Sequence, residues 1–235
     1  MLKSWQTSSG TKITRILSGR SNVFLVSNNG INILVDTSTG RYWEKLDKKL
    51  QEFHRQKPDL LILTHSHFDH AANAYKIKEK YGAKVIIHES EAEYLKTGTN
   101  PIPDGTNPFT RFIIRLFAKK YLSKKNYLPC EPDLVIGDFF DLKAFGLNAN
   151  ILHTPGHSRG SVSIVVDNEI ALVGDTLFGI FPDSVFPPYA SDAKFMIESW
   201  GKLLETGSHT FLPSHGSQRS RLQLQMDYEK RKSPK

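Results

Sequence analysis

Four side chains able to hold a metal ion crowd into one short stretch of this 235-residue chain: His65, His67, Asp69 and His70. They follow the apolar run Leu60, Leu61, Ile62, Leu63 and the single residue Thr64. Imidazole and carboxylate are donors that zinc, iron and manganese accept. In an extended segment residues i and i+2 point to the same side, so His65 and His67 can grip one ion together. A turn into a helix at about Asp69 aims that carboxylate and His70 at the same spot from the helix N-terminus. Single histidines are ordinarily satisfied or exposed. Three with an aspartate behind an apolar strand read as a metal site.

Three more donors stand where strand-like segments end. They are His157 in Thr154-Pro155-Gly156-His157-Ser158, Asp175 in Gly174-Asp175-Thr176, and His215 in Pro213-Ser214-His215-Gly216. Together these donors are too many for one zinc and suit two ions sharing one bridge. One partition gives His65, His67 and His157 to one ion and Asp69, His70 and His215 to the other. Asp175, with two oxygens, can bridge them. The remaining histidines read differently: His88 as a partly buried structural residue, His153 as packing, and His54 and His209 as solvated. Arg159 reads as a surface arginine. Phe178, Phe181, Phe186 and Tyr189 either wall a pocket or pack their own loop.

The elements that must position these donors are legible from periodicity. Thr11 to Leu17, Asn22 to Ser27 and Ile31 to Asp36 read as strands, the last two joined by an Asn28-Asn29-Gly30 turn. Tyr42 to Arg55 carries Trp43, Leu46, Leu50 and Phe53 at helical spacing. After the histidine cluster the spacing predicts a helix over Ala71 to Tyr81, stopped by Gly82, and a strand over Lys84 to His88. Ser90 to Asp133 breaks the rhythm, with helical pieces at Glu91 to Lys96 and Phe109 to Leu122. It reads as an insertion over a face, of the kind that forms lids or binding loops. The second half supplies strands at Asn150 to His153, Ser161 to Val166, Glu169 to Val173 and Thr210 to Leu212. A helix is expected over Asp192 to Glu205, and a basic helix or tail from Arg219. The expected organisation is one domain over 1–235, interrupted at about 90–133.

A hydrophobic content of 39% and a charged content of 23% are those of an ordinary globular protein. No apolar run approaches a membrane span, and Met1 to Gly10 lacks the apolar stretch of a secretion signal. The lone Cys130 excludes an intramolecular disulfide framework and suits a reducing compartment. The expectation is a cytoplasmic protein with a small-molecule substrate and no membrane partner; oligomeric state stays open. The net charge of +7 gathers in Arg111 to Lys125 and Arg219 to Lys235, which read as solvated helix faces before they read as a nucleic-acid surface.

The segments His65-Ser66-His67-Phe68-Asp69-His70, Thr154 to Ser158, Gly174 to Phe178 and Pro213 to Gly216 resemble, in order, the motifs of the metallo-β-lactamase superfamily of metal-dependent hydrolases. The resemblance runs from Asp36 to His215. It implies an α/β (α+β) fold, a four-layer αββα sandwich with two divalent metal ions at one edge between the sheets. Zinc is the expected metal, with iron or manganese as alternatives. It further implies a metal-bridging hydroxide that attacks a small acyl substrate: a thioester, a lactone or a related ester. Asp69 then becomes the catalytic residue, and Asp36 an aspartate that holds the ligand loop without touching metal. The glyoxalase II-like branch is the nearest in motif, without its glutathione-binding C-terminal part. A zinc β-lactamase of the common kind has cysteine where this chain has Asp175. The alternative reading is an iron-dependent oxidoreductase such as a persulfide dioxygenase, and a nuclease ranks third.

Overall fold

Apolar residues on both faces of the strands force helices onto both outer surfaces of a pair of sheets. The computed structural model describes residues 2–53, 57–101, 104–106, 108–114, 116 and 126–232. His54 and much of the helix expected over Phe109 to Leu122 lie outside the described residues.

The first sheet runs β1 (Ser4–Gln6), β2 (Lys12–Leu17), β3 (Val23–Asn28), β4 (Ile31–Val35), β5 (Leu60–Ile62), β6 (Lys84–His88) and β7 (Leu134–Ile136), side by side in chain order. Its first half is antiparallel. From β4 to β7 every pairing is parallel, since α1 (Trp43–Glu52), α2 (Phe68–Ala71), α3 (Ala74–Tyr81) and α4 (Glu89–Thr97) carry the crossovers. A short helix, α5 (Pro108–Ile113), follows within the segment expected as an insertion. The second sheet is ordered β13 (Arg219–Ser220), β12 (Thr210–Pro213), β11 (Ile170–Gly174), β10 (Val162–Val166), β9 (Ala149–His153) and β8 (Phe139–Asp141). The β11–β12 pair is parallel because α6 (Ala193–Glu205) connects it, and α7 (Arg221–Arg231) follows β13.

Alternation along β5 shows how the layers form. Leu60 and Ile62 join the core between the sheets, with Ile33, Val35, Ile151, Ile164 and Leu172. Leu61, between them, faces the other way and packs with Leu46, Leu50, Ile77 and Leu95 of the helices. On the far side Val173 and Phe211 meet Met196, Trp200 and Leu203 of α6 and Leu224 of α7. The result is the expected αββα sandwich. Three buried layers, two of them sheet on helix, account for near-continuous apolar strands.

Two turns have the backbone their residue types permit: Asn29 and Gly30 at φ 48° and 86°, and Asp167 and Asn168 at 52° and 55°. Two expectations change. The helix expected over Ala71 to Tyr81 is broken, and it begins three residues earlier, with α2 at Phe68 and α3 at Ala74. The Asn73 N–H donates to Thr37 Oγ1 (3.1 Å), and the Asn73 side chain donates to the carbonyls of Thr37 and Thr39 (2.9 and 3.0 Å). A tertiary contact takes the groups that would have continued the helix. The basic C-terminal run, read as a solvated face, is partly structural. Buried Arg219 donates to the carbonyls of Phe178 and Phe181, and Arg221 donates to those of Leu204, Thr206 and Ser208, closing the C-terminal end of α6. None of the described helices is long and apolar enough to cross a membrane.

Candidate metal centre

Because β4, β5, β9, β11 and β12 all run the same way, their C-terminal ends meet at one edge of the sandwich. Four of them hand over a donor segment, and β4 ends beside Asp36. Thr64 and His65 follow β5, His157 follows β9, Asp175 follows β11, and His215 follows β12. The sheets approach closely there. Gly174 has φ +53°, and a Cβ on it would come within 2.8 Å of both Cβ and Oγ1 of Thr64. Only glycine permits that contact, which brings Asp175 of one sheet beside His65 of the other.

All seven candidate donors converge. His67 Nδ1 lies 2.8 Å from His65 Nε2 and 3.0 Å from His157 Nε2. Asp175 spans the space between this trio and the next. One oxygen is 3.5 Å from His70 Nε2; the other is 3.5 Å from His157 Nε2 and 3.3 Å from His215 Nε2. Asp69 completes the second trio, with Oδ2 3.8 Å from His215 Nε2 and Oδ1 4.0 Å from His70 Nε2. The groupings His65, His67, His157 and Asp69, His70, His215 each bring three donor atoms close enough to hold one ion.

The donor set fits a pair of cations on evidence internal to the site. His70 Nε2 and Asp175 Oδ1 are buried without a hydrogen-bond partner, a costly condition for polar atoms that a cation between them would relieve. His67 Nδ1 faces two other ring nitrogens, and a nitrogen can share a proton with only one of them. Charges follow the same logic. Burial first, then the neighbouring imidazoles, hold His65 well below the usual histidine range, and burial with His157 pushes His67 down to about 3. Both are therefore neutral, as metal ligands must be. Burial works against ionisation of Asp175, but His215, His70 and His157 overcome it and hold the carboxyl well below its ordinary value. Burial likewise opposes a charged His70, yet Asp175 and Asp36 raise it.

The rings are oriented from behind. His70 Nδ1 meets Asp36 Oδ2 at 2.8 Å, His157 Nδ1 donates to the Tyr189 carbonyl at 2.9 Å, and His65 Nδ1 lies 3.1 Å from Thr64 Oγ1. Asp36, at φ 60° where a non-glycine residue is strained, also accepts from the Thr64 N–H (2.8 Å) and from Ser214 Oγ (3.1 Å). It thus ties β4, β5 and the His215 loop together.

Several residues that carry the site have no local sequence signature. Buried Glu91, on α4, accepts from the N–H and Oγ of Ser66, between His65 and His67, and from the Gly160 N–H (3.0 Å), three residues past His157. Tyr127 donates to the Ser66 carbonyl (2.7 Å), and Asn100 Oδ1 accepts from the Phe68 N–H (2.9 Å). The segment expected as a lid therefore also buttresses the ligand loop. On the other side, Ser21 Oγ donates to the Asp69 carbonyl and Asn22 Nδ2 to the carbonyls of Pro213 and Gly216. Glu91→Gln puts an amide donor against these donors. It is expected to weaken zinc binding by about 10-fold, the low end for a residue behind the ligands, measured by competition with a chelating dye. Unchanged affinity would show that the loops hold themselves.

The other singled-out residues sort cleanly. His88 is buried and stacks on His153 (4.1 Å, 20°), whose nitrogens contact Asp138 and the Arg159 carbonyl. His209 and the Arg159 side chain are exposed. Phe178 packs on the His215 ring (4.8 Å) and walls the site, whereas Phe186 packs on Trp200. Phe181 is exposed, and Tyr189 contributes its backbone. Cys130 lies in the helix-side core, away from the donors.

A double sheet with paired His/Asp donor groups along one edge defines a class of metal-handling proteins, and the comparisons specify it. The family model of the metallo-beta-lactamase superfamily matches residues 18–215, and the chain belongs to that superfamily. It is 33% identical over 147 residues to a probable metallo-hydrolase of Methanocaldococcus jannaschii, covering 63% of each chain. It is 26% identical over 170 residues to an acyl-coenzyme A thioesterase of Homo sapiens, covering 68% of this chain and 59% of that one. The aligned region thus spans about three fifths of the length of these relatives. Among solved structures, a metallo-beta-lactamase family protein of Thermus thermophilus superposes with a TM-score of 0.67 at 22% identity, covering 99% of this chain and 77% of that one. An archaeal superfamily protein from Sulfolobus tokodaii gives 0.64 at 22% identity, over 92% and 81%. At such identities these structures share the fold.

Proposed function

We propose that the chain is a dinuclear metal-dependent hydrolase of small acyl substrates, thioesters first and lactones or related esters next. The observation that carries this reading is the placement of Asp175 between two donor trios, with Oδ1 facing His70 and Oδ2 facing both His157 of one trio and His215 of the other. His65, His67 and His157 would hold one ion and Asp69, His70 and His215 the other. A mixed imidazole and carboxylate set of this kind favours zinc and admits iron or manganese. Bound divalent cations supply a lowered water pKa and polarisation of the substrate carbonyl.

The chain's own residues do the rest. Asp69 Oδ2 faces His215 and Arg20, while Oδ1, 4.0 Å from His70 Nε2, would orient an attacking water and accept its proton. Burial disfavours the charged Asp69, but His70 and His215 outweigh it and keep the carboxyl below its usual range, ionised at neutral pH. Phe178, against His215, excludes water from one wall. The thioesterase relative supports the choice of a thioester among acyl substrates.

The test is a screen of purified, metal-quantified protein against thioesters, lactones, phosphodiesters and persulfides, with an oxygen electrode in parallel. Thioester or lactone turnover that rises with bound metal is expected. Oxygen uptake with iron, and no ester turnover, would replace this reading with the redox one.

A further inference from the structure

We propose that Arg20 is an anion-binding residue at the mouth of the site, which selects acyl substrates carrying a carboxylate a few bonds from the scissile carbonyl. This deepens the acyl-hydrolase reading and rests on it for the identity of the reacting group.

A cation stands on the rim beside Asp69. Arg20 stands in the β2–β3 turn, directly before Ser21 and Asn22, which are buried and bonded to the Asp69 carbonyl and to the His215 loop. Its backbone is therefore fixed against Asp69 and the His215 loop, which supply two members of the second donor trio. The side chain reaches in with one nitrogen only: Nε lies 3.2 Å from Asp69 Oδ2. Among the described residues no other acceptor engages the guanidinium, and the side chain is 61% exposed while that of Asp69 is 10% exposed. The two terminal amino groups of a planar fork are thus left open beside the reacting centre, a geometry that matches a carboxylate bidentately.

Charge points the same way. Among the described residues Asp69 is the one acidic partner of Arg20, and Asp69 also belongs to the second donor trio. That carboxylate also faces His70 Nε2 and His215 Nε2, so it offsets the charge of the guanidinium only in part. An anionic substituent on the substrate would complete the balance and be drawn in by the exposed charge of Arg20. A residue that only braced Asp69 would serve as well turned inward and covered, and Ser21 already fixes the Asp69 backbone.

The test uses the full metal-loaded chain and two matched probes, the succinyl and butyryl thioesters of N-acetylcysteamine, which differ by a carboxylate in place of a methyl group. Their non-hydrolysable thioether analogues are titrated by calorimetry. Wild type is expected to bind the carboxylate analogue about 10-fold tighter, the least that a charge-assisted pair should give, and to show the same preference in kcat/KM through KM. Arg20→Gln should erase the preference and Arg20→Lys should restore part of it. Equal binding of the two analogues by wild type overturns the proposal, as does an Arg20→Gln variant that weakens both equally. Discrimination in binding without thioester turnover would support the anion site and count against the acyl-hydrolase reading. Turnover without discrimination would overturn the anion site alone.

Discussion

Asp69→Ala is expected to lower kcat for thioester hydrolysis by ~10²–10⁴-fold, the range a positioned acid–base group contributes. The chain should stay folded, because Asp69 is bound from outside mainly by exposed Arg20, and such a pair adds little stability. Inside the site its neighbours are His70 Nε2 and His215 Nε2, both of which keep contacts with Asp175. Circular dichroism and thermal melting would establish the fold, and turnover at matched metal content would give the chemistry. Wild-type rates in a folded, metal-loaded variant would remove Asp69 from the mechanism.

Asp36→Ala acts through structure, and more broadly. Asp36 is fully buried and receives the Thr64 N–H, Thr64 Oγ1, Ser214 Oγ and the His70 ring. Alanine leaves those groups without an acceptor in a site closed to water. It also keeps a side chain at a φ of 60° that Asp36 tolerates through its own hydrogen bonds. Removing one partner of a buried ionic contact costs about 3–5 kcal/mol. At about 2–4 °C per kcal/mol in a chain of this size, the melting temperature should fall by roughly 10 °C. Metal affinity should drop by about 10–100-fold as His70 loses its orientation. A variant that melts with the wild type would show that Asp36 is dispensable to the scaffold.

These two aspartates also show what was legible from residues alone. The crowding of His65, His67, Asp69 and His70 is local, and a strand followed by a tight helical turn has one way to present it. Donors at the ends of other strands are readable too, because parallel strands deliver their C-terminal ends to one edge. Glu91, Tyr127, Arg20 and Asn22 act on partners from distant parts of the chain, and no local pattern announces such contacts. The short strands Ser4–Gln6, Leu134–Ile136 and Phe139–Asp141 escape for a related reason. Three residues are too few to display a period, so their pairing is decided by the neighbouring strand. The break between α2 and α3 is a case of tertiary contact overriding helical spacing, through Thr37 and Asn73.

His65, His67, Asp69, His70, His157 and His215 would form a single cage in which two ions share Asp175. It is tested most directly by counting zinc per chain in wild type and in Asp175→Ala, equilibrated side by side with limiting and excess metal, while thioester turnover is followed. Two ions per wild-type chain are expected, with activity rising as both sites fill. In the variant both sites weaken together and turnover is lost, because one carboxylate serves His70, His157 and His215 alike. Two tightly held ions in Asp175→Ala, or full activity in wild type with one, would contradict it.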